Sequence, residues 1–157
     1  MNEFLLERWQ SLREHKCKIN LSESGVSPLS LRDLGVEIPL DLKLGYIMTK
    51  GSEELRSLIA EYYGFNDPES IVVTNGTAEA NMIVALSILK KGDKAVIQMP
   101  NYMQTYGLLE HFGVKVVEWW LKPEDNYRPR ISELEELLDE NVRAVFIYAF
   151  CLGKSVF

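Results

Sequence analysis

Residues 71–81 read Ile71-Val72-Val73-Thr74-Asn75-Gly76-Thr77-Ala78-Glu79-Ala80-Asn81. Four β-branched residues predict a short strand over Ile71–Thr74. A small-residue turn follows, and a helix over Ala78–Leu89 begins at once. A strand that passes through a tight turn into a helix aims unbonded N–H groups and the positive helix pole into that turn, so an anion fits there. Gly76 lets the backbone approach a ligand closely, and the Thr77 hydroxyl adds a donor. The same residues also read as a plain strand–helix turn in which Thr77 merely caps the helix. The Gly-rich dinucleotide fingerprint and the Walker sequence are both missing, so nucleotide readings lose weight.

Working outward, Lys91-Gly92-Asp93 turns the chain into a strand over Ala95–Met99, which Pro100 stops. A helix over Tyr102–Phe112 ends at Gly113, and Val114–Leu121 is another strand. Ser132 and Glu135 have capping-box spacing and predict a helix that buries Leu134, Leu137 and Leu138. Ala144–Leu152 is a continuous apolar run. Upstream, Ser52 is placed to cap a helix with Glu53 and Glu54 in its first turn. Leu55, Leu58, Ile59 and Tyr62 form its buried stripe, and Gly64 suits a left-handed stop. Strands alternating with helices imply right-handed crossovers and a mainly parallel sheet with helices on both faces, an α/β fold.

The N-terminal part differs. A helix over Asn2–Lys16 carries Leu5, Trp9 and Leu12 on one face. Asn20–Leu44 is irregular and longer than the ~12–15 residues usual for a connector inside a compact domain. It reads either as an arm laid over another surface or as a surface loop with a short helix at Leu29–Leu34. The whole chain of 157 residues fits one domain. Its 46% hydrophobic and 25% charged content is that of a globular protein. With 17 basic against 23 acidic residues the net charge is −6, which argues against nucleic acid or an anionic membrane as the main partner. Two cysteines alone, Cys17 and Cys151, far apart in the sequence, suggest no disulfide framework or metal site, and a reducing cytoplasm is the expected setting. No apolar run is long enough to span a bilayer, and MNEFLLERWQ is not signal-like.

Two further segments carry chemistry. Pro100-Asn101-Tyr102 lies just beyond the carboxyl end of a strand, the edge where open α/β sheets bind ligands. Tyr102 can lay its ring against a flat heteroaromatic ligand or pack under the turn. Tyr46, in Gly45-Tyr46-Ile47-Met48-Thr49-Lys50-Gly51, precedes a helix and reads alone as a core tyrosine.

Taken together, Tyr-x4-Gly-x3-Leu-Arg-x2-Ile-Ala-x2-Tyr from Tyr46, Thr-Asn-Gly-Thr-x-Glu-Ala from Thr74 and Pro-x-Tyr from Pro100 resemble the first half of class I/II aminotransferases, pyridoxal-phosphate enzymes of fold type I. The resemblance runs from about Leu21 to about Ile147. It implies the family's three-layer αβα large domain in part, with residues 1–44 as an N-terminal helix and substrate-side arm and residues 45–157 as a truncated cofactor-binding domain. By resemblance, Gly76, Thr77 and Ala78 hold the phosphate of pyridoxal 5'-phosphate and Tyr102 stacks on its ring. Tyr46 reaches the phosphate held by the other subunit of a dimer. Gly25 lies in the segment that closes over the substrate carboxylate. The implied substrates are an amino acid and a 2-oxo acid.

The sequence also departs from the family. After Val145-Phe146-Ile147 the family has an Asn-Pro-x-x-Pro-[Thr/Ser]-Gly segment, whereas this chain reads Tyr148-Ala149-Phe150-Cys151-Leu152-Gly153-Lys154. The asparagine, the aspartate that pairs with the pyridine nitrogen, the lysine that joins the cofactor and the arginine that grips the substrate have no counterpart. Lys154 reads as an ordinary tail lysine. The expectation is therefore no catalytic residue in these 157 residues and no metal. The alternative is a non-catalytic pyridoxal-phosphate-binding or interaction module that associates with itself or with a full-length relative. A shortened gene accounts for this length, and so does a short paralogue.

Overall fold

A computed structural model of the chain describes residues 3–22 and 25–148. It divides into two compact units: Leu6–Thr74, and the residues from Asn75 onward together with those up to Leu5.

The second unit follows the predicted alternation. Helix α3 (Gly76–Ile88) leads to strand β1 (Lys94–Met99), helix α4 (Gln104–His111), strand β2 (Lys115–Trp120), helix α5 (Ile131–Leu137) and strand β3 (Val142–Phe146). The sheet order is β2-β1-β3, and both pairings are parallel. Lys94 pairs with Lys115 on one side and Val142 on the other, with a register shift at Lys94/Ala95 against β3. The central strand is buried from Ala95 to Met99. Its alternation sorts the core into two layers, as a period of two requires. Ala95, Ile97 and Met99 pack with Ala85 of α3 and Leu109 of α4. Val96 and Trp119 pack with Leu121 and with Leu134 and Leu137 of α5. Helices therefore cover both faces of an α/β sheet.

Toward the N-terminus, helix α1 (Leu5–Arg13), all but its first residue in the Leu6–Thr74 unit, and a 3-10 turn (Glu14–Lys16) replace the single helix expected over Asn2–Lys16. Arg13 lies over the Trp9 ring at 6.0 Å. At Leu29–Leu34 there is a hydrogen-bonded turn, not a helix. Ser30 and Asp33 brace it reciprocally, the Asp33 carboxylate accepting from the Ser30 amide and hydroxyl at 2.9 and 2.7 Å. These bonds hold the Asp33 carboxyl below its ordinary range. Helix α2 (Glu53–Tyr63) has the predicted ends: Ser52 Oγ accepts the Leu55 amide at 3.3 Å, and Gly64 stops the helix at φ 72°.

Four local expectations are corrected. Ile71–Thr74 joins no sheet; its backbone meets the neighbouring segment where the Val73 amide donates to the Lys50 carbonyl at 2.9 Å. Propensity shaped the extended conformation without a partner ladder. Ser132 does not cap α5, which starts at Ile131 with Arg130 as its N-cap and no side-chain cap bond. Leu138, expected in the core, is exposed. Along α2 the buried residues are Arg56 and Ala60, whereas Leu55, Leu58 and Tyr62 are exposed. That helix packs locally against the Pro68–Ser70 turn (3-10), through Arg56, and this leaves its apolar stripe outward. Of the apolar run Ala144–Leu152, β3 takes the part through Phe146; Cys151, Leu152 and Lys154 lie outside the described residues.

Arg56 is the tie of the first unit. Its Nε donates to the Gly51 carbonyl at 3.3 Å, and Nη1 donates to the Pro68 carbonyl at 2.9 Å and to Glu69 Oε1 at 2.6 Å. Lys50 Nζ donates to the other Glu69 oxygen at 2.8 Å. The Lys50 and Arg56 bonds lower the Glu69 carboxyl from 4.5 to about 2. A carboxyl depressed by folding stabilises above its unfolded value and loses that contribution as pH falls through its folded value. The expected result is that wild type melts higher than Glu69→Gln at pH 7, with the gap closing between about pH 4.5 and 2. Because the Glu69 side chain is 60% exposed, the gap also narrows in ~1 M salt. A gap that persists at pH 2 would show that the charge is not what matters.

Candidate functional site

The α3 start is shaped by one backbone torsion. Asn75 sits at φ −78°, ψ 76°, and Gly76 at φ 76°. A side chain at such a φ costs roughly 1–2 kcal/mol. A Cβ at Gly76 would meet nothing within 4 Å, so glycine is required there by conformation rather than by crowding. The Asn75 side chain makes no cap bond. Instead Glu79 folds back, and its Oε2 accepts the Asn75 amide at 2.5 Å. Thr77 lies inside the first turn of α3 and does not cap it. The amides of Thr77 and Ala78 are among the first four of the helix, which have no acceptor within it. Both residues are exposed. The turn thus presents backbone donors, a hydroxyl and the positive helix pole to solvent, and it can receive an anion.

The second element follows β1. Met99 leads through a cis bond to Pro100, then Asn101, Tyr102 and α4. The Asn101 amide group donates to the Gln98 carbonyl and to Met99 Sδ, the latter at 3.1 Å. Asn101 Oδ1 is buried without a hydrogen-bond partner among the described residues. Tyr102 is 43% exposed, and its ring tilts against Phe4 with centroids 4.9 Å apart. It is not packed under the turn. Nearby, Glu118 accepts from Trp120 Nε1 at 2.8 Å. Burial first, then Glu118, pushes the Tyr106 phenol upward.

The starts of α3 and α4 are joined by a side chain that sequence reading gave no reason to single out. Gln104 Nε2 donates to the Ala78 carbonyl at 3.3 Å, and Gln104 Oε1 accepts from Asn81 Nδ2 at 3.4 Å. Gly76, Thr77, Ala78 and Tyr102 therefore share one unit, on helix starts that are braced together. A glutamine two residues past an aromatic carries no signature. Glu79 had a general one, an acidic residue in the first turn of the helix, near its positive pole.

Tyr46 and Gly25 belong to the other unit. Tyr46 is fully exposed in a segment that is neither helix nor strand, and is no core residue. Gly25 lines an open cleft of ≈430 Å³ with Glu14, His15, Asn20 and Ser27. Among the described residues no cluster of His, Cys, Asp and Glu is placed to hold a metal ion. None of the helices among them is long and apolar enough to cross a membrane.

Comparison with known proteins gives a consistent picture. The family described as Aminotransferase class I and II matches residues 43–152. The chain is 27% identical over 150 residues to capreomycidine synthase of Streptomyces vinaceus, covering 90% of this chain and 39% of that protein. It is 29% identical over 108 residues to 2-aminoadipate transaminase of Thermus thermophilus, covering 69% of this chain and 26% of that protein. Among solved structures, a PLP-dependent aminotransferase from Streptococcus suis superposes with a TM-score of 0.82 at 26% identity, over 92% of this chain and 41% of that one. The chain spans well under half the length of these relatives.

Proposed function

This chain belongs to the class I and II aminotransferase family, and on that premise we propose that Gly76, Thr77, Ala78 and Tyr102 form the cofactor-binding part of a pyridoxal-phosphate-dependent transaminase, which moves an amino group between an amino acid and a 2-oxo acid. The observation that carries this reading is the placement of a donor-lined helix start and an exposed tyrosine ring on adjacent, braced helix starts of one unit. The glycine torsion and the open space before Gly76 fit a phosphate ester at the turn. Its charge meets the Thr77 and Ala78 amides, the Thr77 hydroxyl and the helix pole. The Tyr102 ring offers a flat apolar face of matching shape. Bound pyridoxal phosphate supplies the electron sink; the chain supplies binding and orientation.

Tyr46 and Gly25 complete the assignment, Tyr46 as a hydroxyl for the phosphate site of a second subunit and Gly25 as part of the segment over the substrate carboxylate. Full exposure of Tyr46 supports a role outside its own unit. The setting is the cytoplasm and the partner a second copy. No lysine of these 157 residues matches the family's cofactor lysine, so the polypeptide by itself binds without turnover and contributes no catalytic residue. A second reading, a non-catalytic module that associates with itself or with a longer relative, is favoured by the outward apolar side chains of α2 and α3, among them Leu58, Tyr62, Met82 and Leu86.

Titration with pyridoxal 5'-phosphate, then borohydride and intact mass, tests both parts. Binding is expected, weakened about 100-fold or more in Gly76→Asp, where torsional strain and like charge add. No stoichiometric adduct on a single lysine is expected. An adduct mapped to one lysine would overturn the non-catalytic assignment. Absence of binding, or competition by ATP in its place, would overturn the cofactor assignment.

A further inference from the structure

We infer that Gln104 is a positioning residue, the brace that sets the distance between the phosphate turn and the Tyr102 ring. This rests on the cofactor reading above. A phosphorylated pyridine is stiff: its ester group and its ring are held at a nearly fixed separation. Here the groups that would receive the two ends stand on different helices, the first turn of α3 and the residue two before α4. Affinity for the joined ligand then depends on how closely the two receivers are held in register, because each end binds as if at high effective concentration once the other is seated.

Gln104 is built for that register. It is the first residue of α4, two past Tyr102. Its donor end bonds the carbonyl of Ala78, whose own amide lies in the anion-receiving turn, and its acceptor end is bonded by Asn81, one turn farther along α3. Both ends of one side chain are thus committed to the same helix, which fixes rotation as well as distance. Gln104 and Asn81 are half-buried, and the bond between them is partly shielded from water, whereas the bond to Ala78 lies at the surface. Neither side chain is assigned to the ligand itself.

The test compares the joined ligand with its halves. In the 157-residue chain, Gln104→Leu is expected to weaken pyridoxal 5'-phosphate about 5–10-fold, the scale of a lost neutral hydrogen bond. Inorganic phosphate, followed through the amide resonances of Thr77 and Ala78, and unphosphorylated pyridoxal are expected to bind as in wild type. Induced circular dichroism of the bound cofactor should shrink. Asn81→Leu, which removes one of the two bonds and leaves the one to Ala78, should give a smaller loss with the same selectivity and guards against misfolding of the first variant. The double variant should be no worse than Gln104→Leu alone, which already removes both bonds. Equal losses for phosphate and cofactor, or no loss, would overturn the brace and leave the cofactor reading standing. A wild-type chain that does not bind pyridoxal 5'-phosphate would overturn both.

Discussion

Gly51→Ala is expected to destabilise the Leu6–Thr74 unit by about 2–5 kcal/mol. Two separate penalties reach that size. Gly51 sits at φ 95°, where a side chain costs roughly 1–2 kcal/mol. Its Cβ would also stand 2.7 Å from Val73 Cγ2 and 2.8 Å from Val73 Cβ, and overpacking of this kind costs about 1–3 kcal/mol. Relief is difficult, because the Val73 amide is bonded to Lys50 and the Gly51 amide to Met48, both at 2.9 Å. Moving Val73 aside breaks the pairing that holds the extended segment. Native-state hydrogen exchange should show the Val73, Gly64 and Phe65 amides opening faster while β1 amides keep their protection. Unchanged protection at Val73 would mean that the contact is not a constraint.

Arg56→Met is expected to cost the same unit about 2–4 kcal/mol, the scale of hydrogen bonds made by a charged donor. Methionine keeps most of the apolar stem, so lost packing is not the cause. Desolvation of a buried guanidinium works in the opposite sense. It is outweighed here because the side chain, 2% exposed, meets two carbonyls and a carboxylate whose other face stays in water. Arg56→Lys should recover only part of the loss, since one ammonium cannot span three acceptors. Urea midpoints of the three proteins give the answer, and a methionine variant as stable as wild type would remove Arg56 as the tie. Combined with Gly51→Ala the losses should not add, because Arg56 bonds the Gly51 carbonyl.

The parts of this chain that were legible in its sequence are those decided within a few residues. Ser52 and Gly64 bound α2 as expected because capping and left-handed stops are local. Strand β1 was legible because its apolar run ends at a proline. The turn at Asn75–Thr77 was legible because glycine there answers a torsion. What failed depended on partners. Ile71–Thr74 has strand propensity, yet only a neighbour can supply a ladder. Periodicity marked Leu55, Leu58 and Tyr62 as one face, but it does not say what covers that face, and within this unit the buried position went to a charged residue, Arg56. At the candidate site, local chemistry and the family resemblance singled out Gly76–Ala78 and Tyr102, which stand at the starts of two neighbouring helices of one unit. Gln104 and Asn81 were not, since a brace between helices is defined by three-dimensional neighbours alone.

The all-parallel order β2-β1-β3 has a consequence for how the molecule assembles. Strand β1 must wait for both neighbours, which follow it in the chain by roughly 20 and roughly 50 residues. The entropy of ring closure favours the nearer one by about 0.7 kcal/mol, and α4 with Leu109 already spans that shorter gap. The hairpin-free pair β1·β2 is therefore the expected kinetic seed, with β3 added to a template that already exists. The side of the described sheet that continues into Tyr102 is the side expected to order first.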